Sequence, residues 1–292
     1  MRRNLHAAVA VALATSLFAT GCSTHTNASA HPPKASAATP QAGLRDTHEQ
    51  LQGVLWTQTA AESWVLASSA YRLAASLLDA AIAEKTWTAA LEQTAGYESL
   101  PPAVVLDLDE TVLDNSMYQA QLVLDRTVYV QKTWEDWVAR KLATAVPGAV
   151  DFLNAARNKG VAVLFITNRR ASEQQSTIEN LKALGIDASD ETVLCVDENG
   201  WTSDKTVRRS VVARTHRILL LIGDDMNDFV STANLSPQAR RDLAVKHGSR
   251  WGRTWILLPN PLYGSWETAL YQRGTPDSEV LQIKRGLVKA SK

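Results

Sequence analysis

The chain contains little that could cross-link it or give its surface one sign of charge. Only two of its 292 residues are cysteine, Cys22 and Cys195, so it lacks the disulfide framework of small secreted domains. Its 30 basic and 30 acidic side chains cancel, which gives no support for binding a nucleic-acid polymer through a positive surface. The six histidines show no spacing typical of a metal site. The length suits one large domain, or a core with a smaller companion.

The N-terminus has the layout of a secretory signal. Arg2 and Arg3 form a basic start, residues 5–20 are apolar or small, and Gly21 precedes Cys22. The end of this stretch resembles the cleavage box of bacterial lipoproteins, in which the cysteine becomes the lipidated first residue. An ordinary signal followed by a chance cysteine is the alternative.

The lipoprotein interpretation divides the N-terminal part of the chain into a signal peptide, residues 1–21, and a tether, residues 22–42. The second stretch is rich in Ala, Ser, Thr and Pro, a composition typical of a flexible linker. Lipid on Cys22 would anchor the protein to a membrane, and Ser23 resembles the sorting pattern for the outer membrane of the bacterial envelope. The mature domain would then contain no internal disulfide.

Residues 43–100 form the first predicted folded region. Apolar residues recur at helical spacings from about Leu44 to Thr94, and proline is absent there. Gly96 and the pair Pro101 and Pro102 end the pattern. We expect two or more helices, packed as a hairpin.

Residues 101–292 alternate between strand and helix patterns, which predicts an α/β fold with a mainly parallel sheet flanked by helices. The predicted strands are Ala103–Leu108, Val161–Thr167, Thr192–Val196, Arg217–Ile222 and Thr254–Leu258. The predicted helices between them are Gly148–Asn158, Ser172–Leu184, Lys205–Ala213 and Pro237–His247. A long insertion, residues 115–146, is rich in aromatic side chains, and we expect it to form a small helical cap together with residues 43–100.

Two aspartates, Asp107 and Asp109, come directly after the first predicted strand, in the sequence VVLDLDETVLDNS. Side chains alternate along a strand, so the two carboxylates start on the same side. They lie at the carboxyl end of the sheet, where open α/β folds bind their ligands. Two acids this close repel unless a cation or a shared proton separates them. The pair therefore indicates a metal site or an acid–base pair.

Three further motifs follow later strands. Thr167, Asn168 and Arg169 end the second strand, Lys205 begins the helix after the third, and residues 223–228, GDDMND, follow the fourth. Each motif is weak alone, since a lysine at a helix start is usually a solvated charge. The carboxyl ends of parallel strands meet at one edge of a sheet, so all of these side chains could share one crevice.

In this order the motifs resemble those of the haloacid dehalogenase (HAD) superfamily: Asp-x-Asp-x-Thr, a Ser or Thr, a Lys and an acidic Gly-Asp turn. Five strings are similar to the secreted class C acid phosphatases, the lipoprotein nucleotidase-like branch of that superfamily: LDLDETVLDNS, FITNRR, SDKTVRR, GDDMNDF and LPNPLYGSWE. The similarity runs from about Leu51 to Glu267. Asp225 and Met226 depart from the residues common in that branch, Asn and Leu, at positions that the chemistry does not require.

The resemblance implies a Rossmann-like core and an Mg²⁺-dependent acid phosphatase acting on phosphomonoesters, with nucleoside monophosphates as expected substrates. Asp107 would be the nucleophile that forms an aspartyl-phosphate, and Asp109 would move the proton. Thr167 and Lys205 would bind the phosphoryl group. The implied metal-binding residues are Asp107, Asp109 through its backbone carbonyl, Asp224 and, as an indirect partner, Asp228.

The resemblance also implies how substrate is recognised. Asn168 and Arg169 would contact it beside the phosphate, and Tyr263 would stack on a nucleobase. Trp56 and Tyr118 are candidates for the opposite wall. The alternative for Tyr263 is a packing residue that closes the edge of the core.

Two other functions fit the same motifs. A phosphotransferase would use the same aspartyl-phosphate with a hydroxyl acceptor in place of water. A non-enzymatic surface lipoprotein would be expected to have lost Asp107, Asp109 or Lys205, and all three are present. The expected partners are a small phosphomonoester and a membrane, and the sequence allows a homodimer without requiring one.

Overall fold

Five parallel strands form the main sheet of the computed structural model, which describes residues 48–272 and 274–291. The strands in chain order are β1 (Pro102–Leu106), β2 (Leu113–Asp114), β3 (Thr144–Ala145), β4 (Ala162–Arg170), β5 (Val193–Val196), β6 (Arg217–Gly223) and β7 (Trp255–Leu257). The main sheet has the order β5–β4–β1–β6–β7, and β2 and β3 form a separate antiparallel pair. The parallel α/β sheet predicted from the alternating patterns is therefore confirmed, with all five of its strands.

The described residues also form α-helices between and around these strands. They are α1 (Leu51–Thr59), α2 (Ala61–Ala83), α3 (Ser116–Asp125), α4 (Gln131–Arg140), α5 (Ala149–Asn158), α6 (Gln174–Ala183), α7 (Thr206–Thr215), α8 (Pro237–Lys246), α9 (Ser265–Thr268) and α10 (Asp277–Leu287). The four helices predicted between the strands correspond to α5, α6, α7 and α8. The sequence patterns did not predict α9 and α10. The predictions for the signal (1–21), the tether (22–42) and lipidated Cys22 lie outside the described residues.

Hydrophobic cores lie on both faces of the main sheet, because successive residues of the central strand β1 point in opposite directions. Val104 and Leu106 belong to the core that also contains the buried faces of α2 and α5. Ala103 and Val105 belong to a second core, which includes Val212 of α7. Helices therefore flank both faces, as the composition of the strands predicts.

Helix α2 belongs to the layer of helices on the sheet rather than to a cap. Its side chains Tyr71, Ala74 and Leu78 are buried in the first core, and the helix packs against α5, β6 and β7. The prediction that all of residues 43–100 form part of a cap is wrong for α2, because its apolar face is covered by the sheet. By length and composition α2 could also cross a membrane, as a core helix of a soluble domain often could.

The C-terminus of α2 is fixed by Arg217, the first residue of β6. This arginine is 1% exposed, and its guanidinium donates hydrogen bonds of 2.7–3.2 Å to four backbone carbonyls, those of Ala81, Ile82, Glu84 and Trp87. The last carbonyls of a helix have no partner within it, and a cation there interacts favourably with the helix dipole. This contact explains why the helix ends at Ala83, before the predicted end near Thr94.

The insertion of residues 115–146 forms the helical cap. It is held at its base by the β2–β3 pair and consists of α3 and α4. Helix α1 packs against α3, as expected for a cap shared with the N-terminal helices. The four aromatic residues of the insertion form one cluster, in which neighbouring ring centroids lie 5.2–6.5 Å apart: Tyr118, Tyr129, Trp134 and Trp137.

Candidate active site

The predicted motifs meet around one cavity at the carboxyl end of the main sheet. Asp107 directly follows β1, Asp224 directly follows β6, and Lys205 is the residue before α7. The cavity has a volume of about 470 Å³. The predicted site residues that line it are Asp107, Asp109, Asn168, Arg169, Lys205, Asp224, Asp228 and Tyr263.

Three carboxylates form the most acidic part of the cavity. One oxygen from each of Asp107, Asp224 and Asp228 lies within 4.8 Å of the others. The pKa of Asp107 is raised to about 7, mainly by burial; the charges of Asp228 and Asp109 add to the rise, and Lys205 opposes it. Burial, followed by the Asp228 and Asp107 charges, also raises the pKa of Asp224 well above its usual range. A bound cation would relieve this crowding, and an all-oxygen donor set fits a hard ion such as Mg²⁺.

Asp224 is held in place by two side chains that the sequence analysis did not assign. The Thr111 hydroxyl donates to Asp224 Oδ1 at 2.9 Å, and Asn260 Nδ2 donates to Oδ2 at 2.8 Å. Each carboxylate oxygen of Asp224 therefore accepts a hydrogen bond, and the orientation of the carboxylate is fixed. Such outer contacts orient carboxylates that bind metals.

Lys205 places a positive charge between two of the carboxylates. It is 4% exposed, and its Nζ donates to Asp228 Oδ1 at 2.6 Å and to Asp107 Oδ1. Burial alone would lower the pKa of Lys205, but the charges of Asp107 and Asp228 outweigh it and raise this pKa above its usual range. The ammonium group therefore stays charged beside the candidate nucleophile.

Asp228 reaches Lys205 because Gly223, the last residue of β6, has no side chain. A Cβ at position 223 would lie 2.1 Å from Asp228 Oδ2 and 2.4 Å from Asp228 Cβ, far inside contact distance. The same Oδ2 accepts a hydrogen bond of 2.9 Å from the backbone N–H of Asp225. The glycine of the GDD turn is thus needed for close approach, a role that its place in the motif did not reveal.

The carboxylate of Asp109 accepts hydrogen bonds from Arg169 and Asn115. Arg169 donates to Asp109 Oδ1 from Nη2 at 2.7 Å and from Nε at 3.0 Å, and Asn115 Nδ2 donates to the same oxygen at 2.9 Å. The guanidinium is buried, lies over the Trp134 ring at 5.5 Å and also donates to Thr177. Arg169 therefore positions Asp109, and because it also lines the cavity its predicted contact with substrate stays a prediction.

Thr167 and Asn168 differ in their access to the cavity. Thr167 is fully buried, and its hydroxyl accepts a hydrogen bond of 3.1 Å from the backbone N–H of Arg169. It is not among the residues that line the cavity, in contrast to its predicted contact with the phosphoryl group. Asn168 does line the cavity, and its Oδ1 accepts from Arg208 Nη2 at 2.6 Å.

Of the three aromatic residues predicted to contact the leaving group, Tyr263 alone lines the cavity. Its hydroxyl donates to the buried carboxyl of Glu110, whose other oxygen accepts from the backbone N–H of Asn115 at 2.9 Å. Tyr118 is a core residue, 5% exposed, with its hydroxyl 3.0 Å from Thr133 Oγ1. Trp56 does not reach the cavity.

Two other aromatic residues of the cap, Tyr129 and Trp134, line the cavity in their place. The sequence analysis noted the aromatic content of the insertion, yet the pattern could not show which rings face outward. That choice depends on how α3 and α4 dock on the core. The cavity therefore has charged groups at its sheet end and aromatic rings from the cap.

Comparison with known proteins places these features in a family. A family model described as "HAD superfamily, subfamily IIIB (Acid phosphatase)" matches residues 8–266. A solved structure of the class C acid phosphatase from Bacillus anthracis is 36% identical, covers 83% of this chain and 98% of its own, and superposes with a TM-score of 0.73. A structure of that enzyme with tungstate bound is 35% identical, with a TM-score of 0.74.

Curated plant proteins are more distant. The stem 31 kDa glycoprotein of Glycine max is 22% identical over 164 residues, and acid phosphatase 1 of Solanum lycopersicum is 25% identical over 163 residues. These matches cover 54% of this chain and 58% and 57% of those proteins, so the chain spans little more than half their length. The family match over most of the sequence, together with the bacterial structure, confirms the resemblance to the class C acid phosphatases: the chain belongs to the acid phosphatases of HAD subfamily IIIB.

Proposed function

We propose that this protein is an Mg²⁺-dependent acid phosphatase that hydrolyses phosphomonoesters, preferentially nucleoside monophosphates, through an aspartyl-phosphate on Asp107. One observation carries the proposal: a buried lysine, a triad of carboxylates and a separately held aspartate converge on one cavity at the carboxyl end of the sheet. The bacterial relative is a class C acid phosphatase, and tungstate, which it binds, is a tetrahedral oxyanion like phosphate.

The residues fit a divalent cation. Asp107, Asp224 and Asp228 would hold it through carboxylate oxygens, directly or through water, and Asp109 through its backbone carbonyl. When bound, Mg²⁺ would screen the negative charges of the substrate and of the acidic cluster. Lys205 supplies a second, permanent positive charge at the same place.

In the first step, a carboxylate oxygen of Asp107 attacks phosphorus, and the bond from phosphorus to the ester oxygen breaks. The leaving oxygen takes a proton from the Asp109 carboxyl. Arg169 and Asn115 hold that carboxyl by its Oδ1, so its direction is fixed before substrate binds. Lys205 stabilises the charge beside the nucleophile.

In the second step, water attacks the phosphorus of the aspartyl-phosphate, and Asp109, now a carboxylate, accepts the proton of that water. Inorganic phosphate leaves, and Asp107 returns as a carboxylate. Before substrate binds, the carboxylate of Asp107 lies next to Lys205, whereas Asp109 is held by Arg169 and Asn115. The two acids thus have separate roles.

Removal of divalent metal tests the proposal directly. We expect the purified protein to release phosphate from p-nitrophenyl phosphate with Mg²⁺, and EDTA to lower the rate by at least about tenfold. Excess Mg²⁺ should restore the rate, whereas excess Na⁺ at equal ionic strength should not. Full activity in EDTA after exhaustive dialysis would contradict the metal requirement, and no phosphate release under any condition would contradict the phosphatase.

Replacing Asp109 with Asn tests its role in proton transfer. An alkyl leaving group needs a proton, whereas p-nitrophenolate leaves readily without one, so the two substrates should respond differently. We expect kcat/KM to fall by about 10²-fold for glycerol phosphate and by much less for p-nitrophenyl phosphate. The matched control is Asp136→Asn, since Asp136 is an exposed carboxylate on α4 paired with Lys132. Equal losses on both substrates would argue against Asp109 as the proton donor.

The aromatic rings in the cavity support a nucleoside as leaving group. Tyr263, Tyr129 and Trp134 line the same cavity as the acidic cluster. Rings of this kind stack on any nucleobase and discriminate little between bases. A substrate range that covers several nucleoside monophosphates is therefore expected.

A further inference from the structure

Gln119 is a buried polar residue that the proposed mechanism does not use. It lies on α3, is 4% exposed, and its Oε1 accepts no hydrogen bond from any residue that the structure describes. Buried polar groups in native proteins are nearly always paired, because an unpaired one is costly. Gln119 is also one of the residues that line the active-site cavity.

Its position in the cavity distinguishes Gln119 from the other buried side chains with an unpaired polar atom. Within the same described part of the chain, these are Ser68, Glu92, Arg208, Arg217 and Thr254. None of them lines the active-site cavity. Gln119 therefore combines a buried, unpaired carboxamide oxygen with a place in the wall of the active-site cavity.

Helical spacing on α3 places Gln119 near the part of the cavity where the leaving group would lie. Asn115, one helical turn earlier, contacts Asp109, and the backbone N–H of Gln119 donates to the carbonyl of Asn115 at 3.2 Å. Residues four apart lie on the same face of a helix, about one 5.4 Å turn along its axis. Asp109 must touch the ester oxygen of the substrate, and Gln119 lines the same cavity one helical turn from the residue that holds Asp109.

We infer that Gln119 binds the leaving group of the substrate through a hydrogen bond, and that it selects leaving groups carrying hydrogen-bond donors, as a nucleoside does. This inference rests on the proposed function and extends it to a specific residue. A carboxamide matches the sugar hydroxyls or the base edge of a nucleoside, whereas the neighbouring Trp134 and Tyr129 rings would serve any flat group. The oxygen is buried in the structure, so the carboxamide turns toward the cavity when substrate binds, and its unpaired oxygen then accepts a hydrogen bond.

The test compares two single substitutions on the same helix. Gln119→Leu removes the carboxamide, and Gln121→Leu makes the same chemical change at an exposed position two residues away. For each, kcat/KM is measured with adenosine 5′-monophosphate, ribose 5-phosphate and p-nitrophenyl phosphate. We expect the ratio of the nucleotide value to the p-nitrophenyl value to fall at least tenfold in Gln119→Leu and to stay unchanged in Gln121→Leu.

The three substrates separate the outcomes. A parallel fall with ribose 5-phosphate would show that Gln119 binds the sugar, and a fall with the nucleotide alone would show that it binds the base; both support the inference. An unchanged ratio in a folded Gln119→Leu protein would overturn it. Since Leu is branched, Gln119→Met provides a second variant of unbranched shape, and thermal unfolding confirms the fold of each. Wild-type protein inactive on p-nitrophenyl phosphate would overturn the proposed function itself, and this inference with it.

Discussion

Replacing Asp107 with Asn should abolish phosphomonoester hydrolysis while leaving the protein folded. The amide keeps the shape of the side chain but is a far poorer nucleophile, so we expect kcat to fall by at least about 10⁴-fold. Substrates with good and poor leaving groups should both be affected, because each needs the attack by Asp107. The measurement is phosphate release with p-nitrophenyl phosphate and with a nucleoside monophosphate, each with Mg²⁺.

The stability of this variant separates catalysis from folding. Asn at position 107 removes one charge from the cluster with Asp224 and Asp228, and Lys205 keeps Asp228 as a partner. We therefore expect the midpoint of thermal unfolding to equal or exceed that of the wild type at neutral pH. Asp79→Asn is the matched control, since Asp79 is an exposed carboxylate paired with Lys159. Turnover at a tenth of the wild-type rate or more would rule out Asp107 as the nucleophile.

Replacing Gly223 with Ala should damage both stability and activity, although the change adds one methyl group. The new Cβ would overlap Asp228, which must then leave Lys205 and the N–H of Asp225. Disrupting a buried ion pair costs about 3–5 kcal/mol, so we expect a loss of unfolding free energy in this range. The displaced lysine and carboxylate should lower kcat/KM by at least about 10²-fold.

Two further variants identify the cause. Gly286→Ala places the same methyl group in α10, with nothing within 4 Å, and should raise stability by about 0.5–1 kcal/mol. In an Asp228→Gly background the side-chain atoms of residue 228 that meet the new Cβ are gone, so adding Gly223→Ala should cost less than about 1 kcal/mol further. Urea unfolding of the four proteins and of wild type measures these differences. Equal costs in both backgrounds would mean that the clash with Asp228 is not the reason for glycine at this position.

The strands of the main sheet could be predicted from sequence because their pattern is local. In β1, β4 and β6 both faces are buried, so each strand reads as an apolar run between polar residues. The end of α2 could not be predicted in this way. Its helical pattern continues toward Thr94, and the contact that stops it comes from Arg217, which is distant in sequence.

The residues of the site also divide into those that a local pattern predicts and those that depend on contacts between distant parts of the chain. Asp107, Lys205 and Asp224 were identified because each stands at a fixed place after a strand, and the sheet brings those places together. The contact of Arg169 with Asp109 could not be predicted, because Asp109 lies 60 residues earlier and no pattern joins the two residues. Two neighbouring residues of the cap show most clearly what the sequence could not predict.

Tyr118 and Gln119 are adjacent on α3, yet the tyrosine packs inside the aromatic cluster and the glutamine lines the cavity. By residue type alone, an aromatic ring was the better candidate for contacting a flat leaving group. The orientation of α3 on the core decides between the two, and that orientation depends on packing against α1. Without knowing this orientation, one could not identify from residue type alone which side chains line the cavity.

The contact between Arg217 and the end of α2 also bears on how the protein is made. The guanidinium joins carbonyls that were synthesised 130 to 136 residues earlier, and β1 gains its neighbour β6 from the same late segment. Pairings between such distant parts of a chain form slowly, because a long loop must close first. A nascent chain on the ribosome therefore cannot complete its first long helix or its central strand until β6 has emerged. Assembly of the main sheet is therefore expected to wait until this segment has been made.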